Sequence, residues 1–491
     1  MFHLKETPYC AVVLAMLLAA CTRPVGPQDS LIATPSAWGR LSGAAQAADL
    51  NAPLASGPEV EIDQAWWEHF DDPALDVLIT DALANNKTLQ IAKARVEEAR
   101  ASRRDARSRL LPQVDGAVGA QQGRVGYFTS APDIRQDFGL AEGEVIATWE
   151  LDLFGRNQAR MAQAAAILQS EEATRLAVRV GLLAEVARNY FEMRNYERQI
   201  DLTKQNLATQ KKTLELISEQ KQASKASDLD VQRASAQVAT TESLIPSLRT
   251  AHDASLNRLN VLLGCPPGSK DALLETPRDL KPLDQHILIA APAKVLAARP
   301  DVRAAERRFA ASISAKYVAQ TGWLPDISLL GFFGSQTLNA KPLLTPFWSS
   351  LLGQSANVVL PMLNFEKILS QIDTADAQQK QAFLNYQKTV LEALENMEDA
   401  LSSYLNETAR NASLTDSVAA NRKSVTLVRQ KYGLGYASFL DVLDAERNLL
   451  IAESSQAASD AGLRNDLVGI YAAAGGGWSD LKSDETAQSG K

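Results

Sequence analysis

Cysteine and histidine are scarce in this 491-residue chain, which holds three of the first and four of the second. Cys10, Cys21 and Cys265 cannot build a disulfide framework, and His3, His69, His252 and His286 are too scattered for metal-ligand spacing. Each histidine reads as an ordinary surface or packing residue, and no metal or cofactor is expected. Walker A, HExxH and GxSxG motifs are missing, so nothing in the chain points to an enzyme. No block rich in lysine or arginine stands out and the net charge is −8, which argues against nucleic acid as the main partner. Aromatics are few, at 6% against 46% hydrophobic residues, and mean hydropathy is −0.16. That balance suits neither a bundle of transmembrane helices nor a disordered chain.

The informative features begin at the N-terminus. An apolar run from Ala11 to Ala20 follows Lys5 and ends Leu18-Ala19-Ala20-Cys21. Such a run is too short to span a bilayer of ~30 Å as a helix but matches the core of a secretory signal. The small residues before Cys21 resemble a bacterial lipobox, which implies cleavage after a signal peptide at 1–20 and lipid attachment at Cys21. A plain signal with a chance cysteine is the alternative. Thr22 follows, with no Asp to resemble an inner-membrane retention signal, so the outer membrane is favoured. Residues 21–61 are rich in Pro, Gly, Ala and Ser and read as an extended, lipid-anchored tether. Order is expected to begin at Ile62, and a helical pattern runs from about Pro73 to Leu110.

Two pairs of landmarks disclose an internal duplication. Leu111-Pro112 and Leu324-Pro325 each close a helical stretch and lie 213 residues apart, while Ser227-Asp228-Leu229-Asp230-Val231 and Ser438-Phe439-Leu440-Asp441-Val442 lie 211 apart. The chain is therefore read as two repeats, 62–280 and 281–478, followed by a polar tail at 479–491. Each repeat holds a long stretch free of Gly and Pro: Leu182–Ile245, folded back at a polar break near Ala223–Ser227, and Met362–Tyr432. At ~1.5 Å per residue such helices could reach on the order of 100 Å, which points to coiled-coil packing. Phe383, Tyr386, Val390, Leu394, Met397, Leu401 and Tyr404 step by 3, 4, 4, 3, 4 and 3, the ~3.5 spacing of a left-handed supercoil. The core stripe of a soluble bundle has the same period.

After each Leu-Pro the period changes to two. Val145, Ala147, Trp149, Leu151 and Leu153 form one face of a segment whose other face carries Thr148, Glu150 and Asp152. This is apolar-out, polar-in alternation of membrane-strand length. Strands are expected at about 113–124 and 143–153 in the first repeat, and at about 326–337 and 353–361 in the second. Four strands cannot close, and an open edge in lipid leaves backbone groups unpaired at several kcal/mol each. Copies of the chain must then pool strands, two making a tight barrel of eight and three a barrel of twelve with room for a lumen. A soluble sandwich of the same strands, or a lipid-anchored coiled-coil scaffold without a pore, is also compatible with parts of the pattern. The Val145–Leu153 alternation speaks against the scaffold.

Several motifs then match one family in order. Trp149-Glu150-Leu151-Asp152-Leu153-Phe154-Gly155-Arg156, Leu259-Asn260-Val261-Leu262-Leu263-Gly264, Arg299-Pro300-Asp301-Val302-Arg303, Tyr386-Gln387-Lys388-Thr389-Val390 and Tyr471-Ala472-Ala473-Ala474-Gly475 resemble those of the TolC-like outer membrane factors, in their OprM/NodT-type lipoprotein branch. The resemblance runs from about Trp66 to Trp478. It implies a mainly α fold with a small transmembrane β part, built as a homotrimer with a twelve-stranded barrel and a helical tunnel. It further implies a periplasmic adaptor protein and an inner-membrane pump of RND type as partners, besides outer-membrane lipid. Export of small molecules is the expected task; a duct for protein secretion is the alternative.

The resemblance also gives roles to the helix tips. Leu440, Asp441 and Asp444 match positions that form the family's periplasmic constriction, and Ser224, Ser227, Gly433, Gly435 and Ser438 sit where adaptor-contact tips are expected. The residues alone carry a plainer reading: glycines permit a turn, and Ser438 with Asp441, like Ser227 with Asp230, forms a capping box. Two departures stand out. Ser224-Lys225 replaces the usual glycine at the first tip, and Leu363-Asn364-Phe365-Glu366-Lys367 lacks the usual glycines of the strand-to-helix turn.

Overall fold

The computed structural model describes residues 32, 34–40, 54–57, 62–126, 135–270, 274, 280–281, 283, 287–338, 349–361 and 363–477. The predicted signal peptide, Cys21, most of the tether and the tail at 479–491 lie outside the described residues. In chain order the elements are β1 (Leu54–Gly57), a short 3-10 turn (Trp66–Phe70), α1 (Pro73–Asn85), α2 (Lys87–Ser108), β2 (Gln113–Gly126), β3 (Arg135–Glu150), α3 (Arg156–Gln222) and α4 (Asp228–Leu262). The second half follows with β4 (Ile287–Ala290), α5 (Pro292–Ala298), α6 (Pro300–Gln320), β5 (Asp326–Leu338), β6 (Ser349–Val359), α7 (Phe365–Gly433) and α8 (Phe439–Ala474). The fold is mainly helical, and the order helix, two strands, long helix, returning helix occurs twice.

The chain forms two compact units. The first comprises Arg95–Glu172 and Ala304–Gln387 and contains a four-stranded antiparallel sheet in the order β2-β3-β5-β6. Register is continuous, with Val145 opposite both Gly116 and Phe333, and Phe333 opposite Leu352. At Gly353 a Cβ would lie 2.2 Å from Cζ of Phe332, so the ring lies across this glycine and would have to move for any side chain there. Below the sheet, Phe309 and Phe383 pack at 5.2 Å between centroids.

The second unit comprises Ile32–Ala94, Ala173–Arg303 and the chain from Lys388. Its core gathers Trp66, Phe70, Leu75, Leu78, Leu183, Phe191, Leu259, Met397, Leu401 and Val468. Tyr190 is buried among them and donates its hydroxyl proton to Asp72, 2.5 Å away, while Asp72 also caps α1 by accepting from Ala74 N–H. Burial first, and the bond to Asp72 second, push the Tyr190 pKa up to about 12, so the phenol remains a donor.

Some boundaries differ from the sequence reading. The strand expected at 143–153 runs Arg135–Glu150, and Asp152 is not a strand residue: its carboxylate accepts from the N–H groups of Asn157 and Gln158 at 2.9 and 2.8 Å, capping α3. The strand expected at 353–361 begins earlier, at Ser349, and ends at Val359. The helical pattern expected from about Pro73 to Leu110 is interrupted at Asn86, whose ψ of 128° leaves the helix; its side chain accepts from Leu89 N–H and donates to the Leu262 carbonyl. Conversely α4 passes through Pro246, where the helix surface is exposed and water can serve the freed carbonyl. The tether is not featureless either. Trp38 is 1% exposed and donates to the Ala290 carbonyl, Gly39 and Arg40 donate backbone N–H groups to Glu398, and β1 pairs in parallel with β4.

Candidate functional site

The helix tips belong to the second unit. At the end of α7, Gly435 takes φ +80°, Gly435 N–H donates to the Tyr432 carbonyl and Tyr436 N–H to that of Lys431. This is a Schellman ending, which satisfies the last carbonyls of the helix. The first tip ends the same way: Ser224 N–H donates to Lys221 and Lys225 N–H to Gln220. Here Ser224 itself adopts φ +59°, a left-handed backbone that costs an L-residue roughly 1–2 kcal/mol. The missing glycine thus leaves the turn geometry intact.

Each return helix starts with a capping box. Ser438 Oγ accepts from Asp441 N–H at 3.3 Å, and Asp441 Oδ2 accepts from Ser438 N–H at 2.8 Å and from its hydroxyl at 2.7 Å. Ser227 and Asp230 repeat the arrangement. The Ser438 hydroxyl first, then its backbone N–H, hold the Asp441 carboxyl below its ordinary pKa. Beneath the tips Ile217, Ala234, Phe439, Val442 and Leu443 form a small buried cluster, and Tyr432 donates to Gln220 Oε1 at 3.0 Å. The two hairpins are therefore joined just behind their turns.

Of the expected constriction residues, Leu440 is 43% exposed and Asp441 is exposed but committed to its cap. Asp444 accepts a hydrogen bond from Arg447 at 2.7 Å, one turn along the same helix. The sequence reading counted the carboxylates and left out this cation, although the i, i+3 spacing was there to be read. It also missed Glu446, which is 3% exposed and receives both Nε and Nη2 of Arg429 at 3.1 and 2.7 Å. Leu434 and Tyr436, at 71% and 82% exposure, project from the second tip alongside Gly433, Gly435 and Ser438. Among the described residues no group of three or more His, Cys, Asp or Glu is placed to hold a metal ion.

The sheet is the second feature of interest and belongs to the first unit. Directly opposed residues of an antiparallel pair share a face. One face collects Val114, Val118, Val145, Ala147, Trp149, Leu329, Phe333, Leu352 and Val358, with Ser335 and Gln354 among them; the other carries Asp115, Glu142, Glu144, Glu150, Ser328, Ser355 and Asn357 beside Ile146, Leu330, Phe332 and Val359. The apolar face is bare: Val118 is 88%, Phe333 63% and Leu352 80% exposed. Among the described residues β2 and β6 are paired on one side only. No helix of the described residues is long and apolar enough to cross a membrane.

The described residues thus combine long paired helices with a small amphipathic sheet. The sequence model of the outer membrane efflux protein family matches residues 78–265 and again 291–476, and the chain belongs to that family. It is 31% identical over 430 residues to the solvent efflux pump outer membrane protein SrpC of Pseudomonas putida, covering 84% of this chain and 87% of that protein. It is 27% identical over 474 residues to the pyoverdine export outer membrane protein OpmQ of Pseudomonas putida, covering 96% and 97%. Among solved structures, the outer-membrane channel OprN superposes with a TM-score of 0.84 at 30% identity, covering 92% of this chain and 99% of that one. The protein is thus an outer-membrane efflux channel component.

Proposed function

We propose that three copies of this chain assemble into the exit duct of a tripartite efflux system, passing small molecules across the outer membrane. The observation that carries this reading is the open four-stranded sheet with one bare apolar face. Lipid tolerates such a face only if both sheet edges are paired, and three copies of four strands close a barrel of twelve with a lumen. The face bearing Asp115, Glu142, Glu144 and Glu150 then lines the lumen and favours cations. Relatives named for solvent and pyoverdine export support small-molecule cargo over protein secretion. Reconstitution of the purified protein into planar bilayers should give discrete conducting steps. Absence of conductance from a correctly assembled oligomer would overturn the duct.

The finer parts of the proposal rest on individual residues. Cys21 carries the lipid anchor after removal of residues 1–20; mass spectrometry should find an acylated Cys21 at the mature N-terminus, and an unmodified chain starting elsewhere would refute it. The tips at Ser224, Ser227, Gly433, Gly435 and Ser438 dock a periplasmic adaptor, itself coupled to an inner-membrane pump of RND type. Leu440, Asp441 and Asp444 form the resting constriction. With three copies, three Asp444 carboxylates converge, each partly offset by its own Arg447. Asp444→Ala should raise conductance and weaken block by multivalent cations, whereas Arg447→Ala should strengthen that block. If both variants conduct and block like wild type, the constriction lies elsewhere.

A further inference from the structure

The last turns of α2 carry an arginine face that the channel function does not explain. Arg100, Arg103, Arg104 and Arg107 stand at i, i+3, i+4 and i+7, and all four are exposed. Arg100 reaches Glu172 at 3.4 Å, while among the described residues Arg103, Arg104 and Arg107 have no ion-pair partner. The simplest explanation is that cations suit a helix C-terminus. The duplicate helix argues against it. At the equivalent positions of α6, 213 residues on, stand Ile313, Lys316, Tyr317 and Gln320. Of these Lys316 is tied to Asp376, and the Tyr317 hydroxyl donates to the Phe154 carbonyl at 3.0 Å. The same helix ending, leading into the same kind of strand, is therefore built without arginines. What distinguishes the first copy is an added surface, not a need of the fold.

The position of that surface identifies its partner. α2 ends at Ser108, β2 starts at Gln113, and Val114 is the first residue of the bare apolar face. Arg107 is seven residues from Val114, at most ~25 Å of chain. Trp149, on the same apolar face, donates its indole N–H to the Leu110 carbonyl at 3.2 Å, fastening the end of α2 to the rim of that face. Leu111 and Leu153, 60% and 64% exposed, complete an apolar rim with an aromatic at its margin. A tryptophan at such a margin marks the boundary between acyl chains and headgroups, and the headgroup zone beyond it is only some ~5–8 Å deep. Guanidinium groups bind phosphodiesters through paired N–H donors.

We infer that Arg103, Arg104 and Arg107 form a docking surface for anionic phospholipid headgroups of the periplasmic leaflet. The inference rests on the reading that the apolar sheet face meets lipid. Phosphatidylglycerol or cardiolipin offers phosphate without a compensating amine, and each arginine near a charged leaflet favours it by up to roughly fivefold at low salt. In a trimer the surface repeats around the barrel base and fixes the depth at which the sheet sits.

The test uses the full-length oligomer in phosphatidylcholine vesicles containing equal mole fractions of dibrominated phosphatidylglycerol or dibrominated phosphatidylcholine, with quenching of tryptophan fluorescence as readout. The wild type should be quenched more by the anionic probe, corresponding to about fivefold local enrichment or more, and the difference should shrink at high salt. Arg103→Ala, Arg104→Ala and Arg107→Ala combined should abolish it, while three Lys replacements should keep most of it. Equal quenching by both probes in wild type, or an undiminished preference in the triple Ala variant, would overturn the inference. If the triple variant does not assemble, the salt dependence of wild type and the Lys variant decide. Loss of oligomer in the Ala variant with no lipid preference in wild type would assign the arginines to a neighbouring copy instead. Planar-bilayer conductance in phosphatidylcholine separates the two readings: conducting pores without lipid preference overturn only the headgroup surface, whereas no pores overturn the duct.

Discussion

The two helical hairpins are copies of one design, and their tips show how far copies can drift while keeping a shape. At an offset of 211 residues, Ser227 and Asp230 correspond to Ser438 and Asp441, and both pairs make the same capping box. Lys211 and Glu242 correspond to Arg422 and Glu453, and both are ion pairs between outgoing and returning helices. Other positions have diverged. Ser224 stands where the second tip has Gly435, Asp228 where it has Phe439, and Arg233 where it has Asp444. Backbone capping is thus common to both tips. The buried aromatic, the left-handed glycine and an aspartate at the 233/444 position belong to the second alone, the tip proposed to carry the constriction.

The largest difference should come from the buried aromatic. Phe439 is 4% exposed in the tip cluster, so Phe439→Ala should destabilise the second tip by about 3–5 kcal/mol. Asp228→Ala at the exposed equivalent should cost under ~0.5 kcal/mol beyond the loss of its contact with Lys221. Hydrogen exchange at the amides of Val442–Ala445 against Val231–Ala234 reads both. Equal loss of protection in the two variants would break the comparison.

The turns come next. Gly435→Ala should cost about 1 kcal/mol, since its left-handed φ disfavours a Cβ even where nothing is near it. Ser224→Gly should do the opposite and gain roughly 0.5–1 kcal/mol. Exchange rates around Lys225 and Tyr436 should move in opposite directions.

The caps should behave alike. Ser438→Ala and Ser227→Ala should each lose about 1 kcal/mol at their helix starts, read by the same amide exchange. Because Asp441 titrates below its ordinary pKa, its cap stabilises fully above the ordinary carboxylate pKa and fades as pH falls through the depressed folded value. Asp441→Ala should remove that acid-side weakening. A second tip whose protection is flat with pH in wild type would contradict the cap.

The smallest effect distinguishes the two ion pairs. Arg422 places both Nε and Nη2 on a Glu453 carboxylate only 11% exposed, at 3.0 and 2.8 Å, whereas Lys211 and Glu242 meet at 3.2 Å with both more than half exposed. Double-mutant cycles should give about 1 kcal/mol of coupling for the first pair and a few tenths for the second.

Much of this architecture was legible because it is periodic. The 3.5-residue stripe through Val390, Met397, Leu401 and Tyr404 is buried, and the alternation Val145, Ala147, Trp149 marks the bare face. The duplication set matching turns side by side and made both capping boxes visible. Features without a period were missed. Asn86 breaks a helix through side-chain hydrogen bonds that a neutral-looking residue does not announce, and Trp38 is buried from within a stretch of tether composition. Asp152 fitted a strand pattern but caps a helix, because its bonding partners lie five and six residues ahead. At the tip the aspartates stand out in the sequence, while the pairing of Asp444 with Arg447, three residues on, does not.

A closed barrel requires copies of this chain to pool their strands. The mass of the detergent-solubilised protein, measured by light scattering with the detergent contribution subtracted, tests this directly. Three times the mature chain mass, from a full chain of 53.2 kDa, is the expected value. A monodisperse monomer that stays folded would contradict it, since a lone four-stranded sheet leaves the edges of β2 and β6 open to lipid.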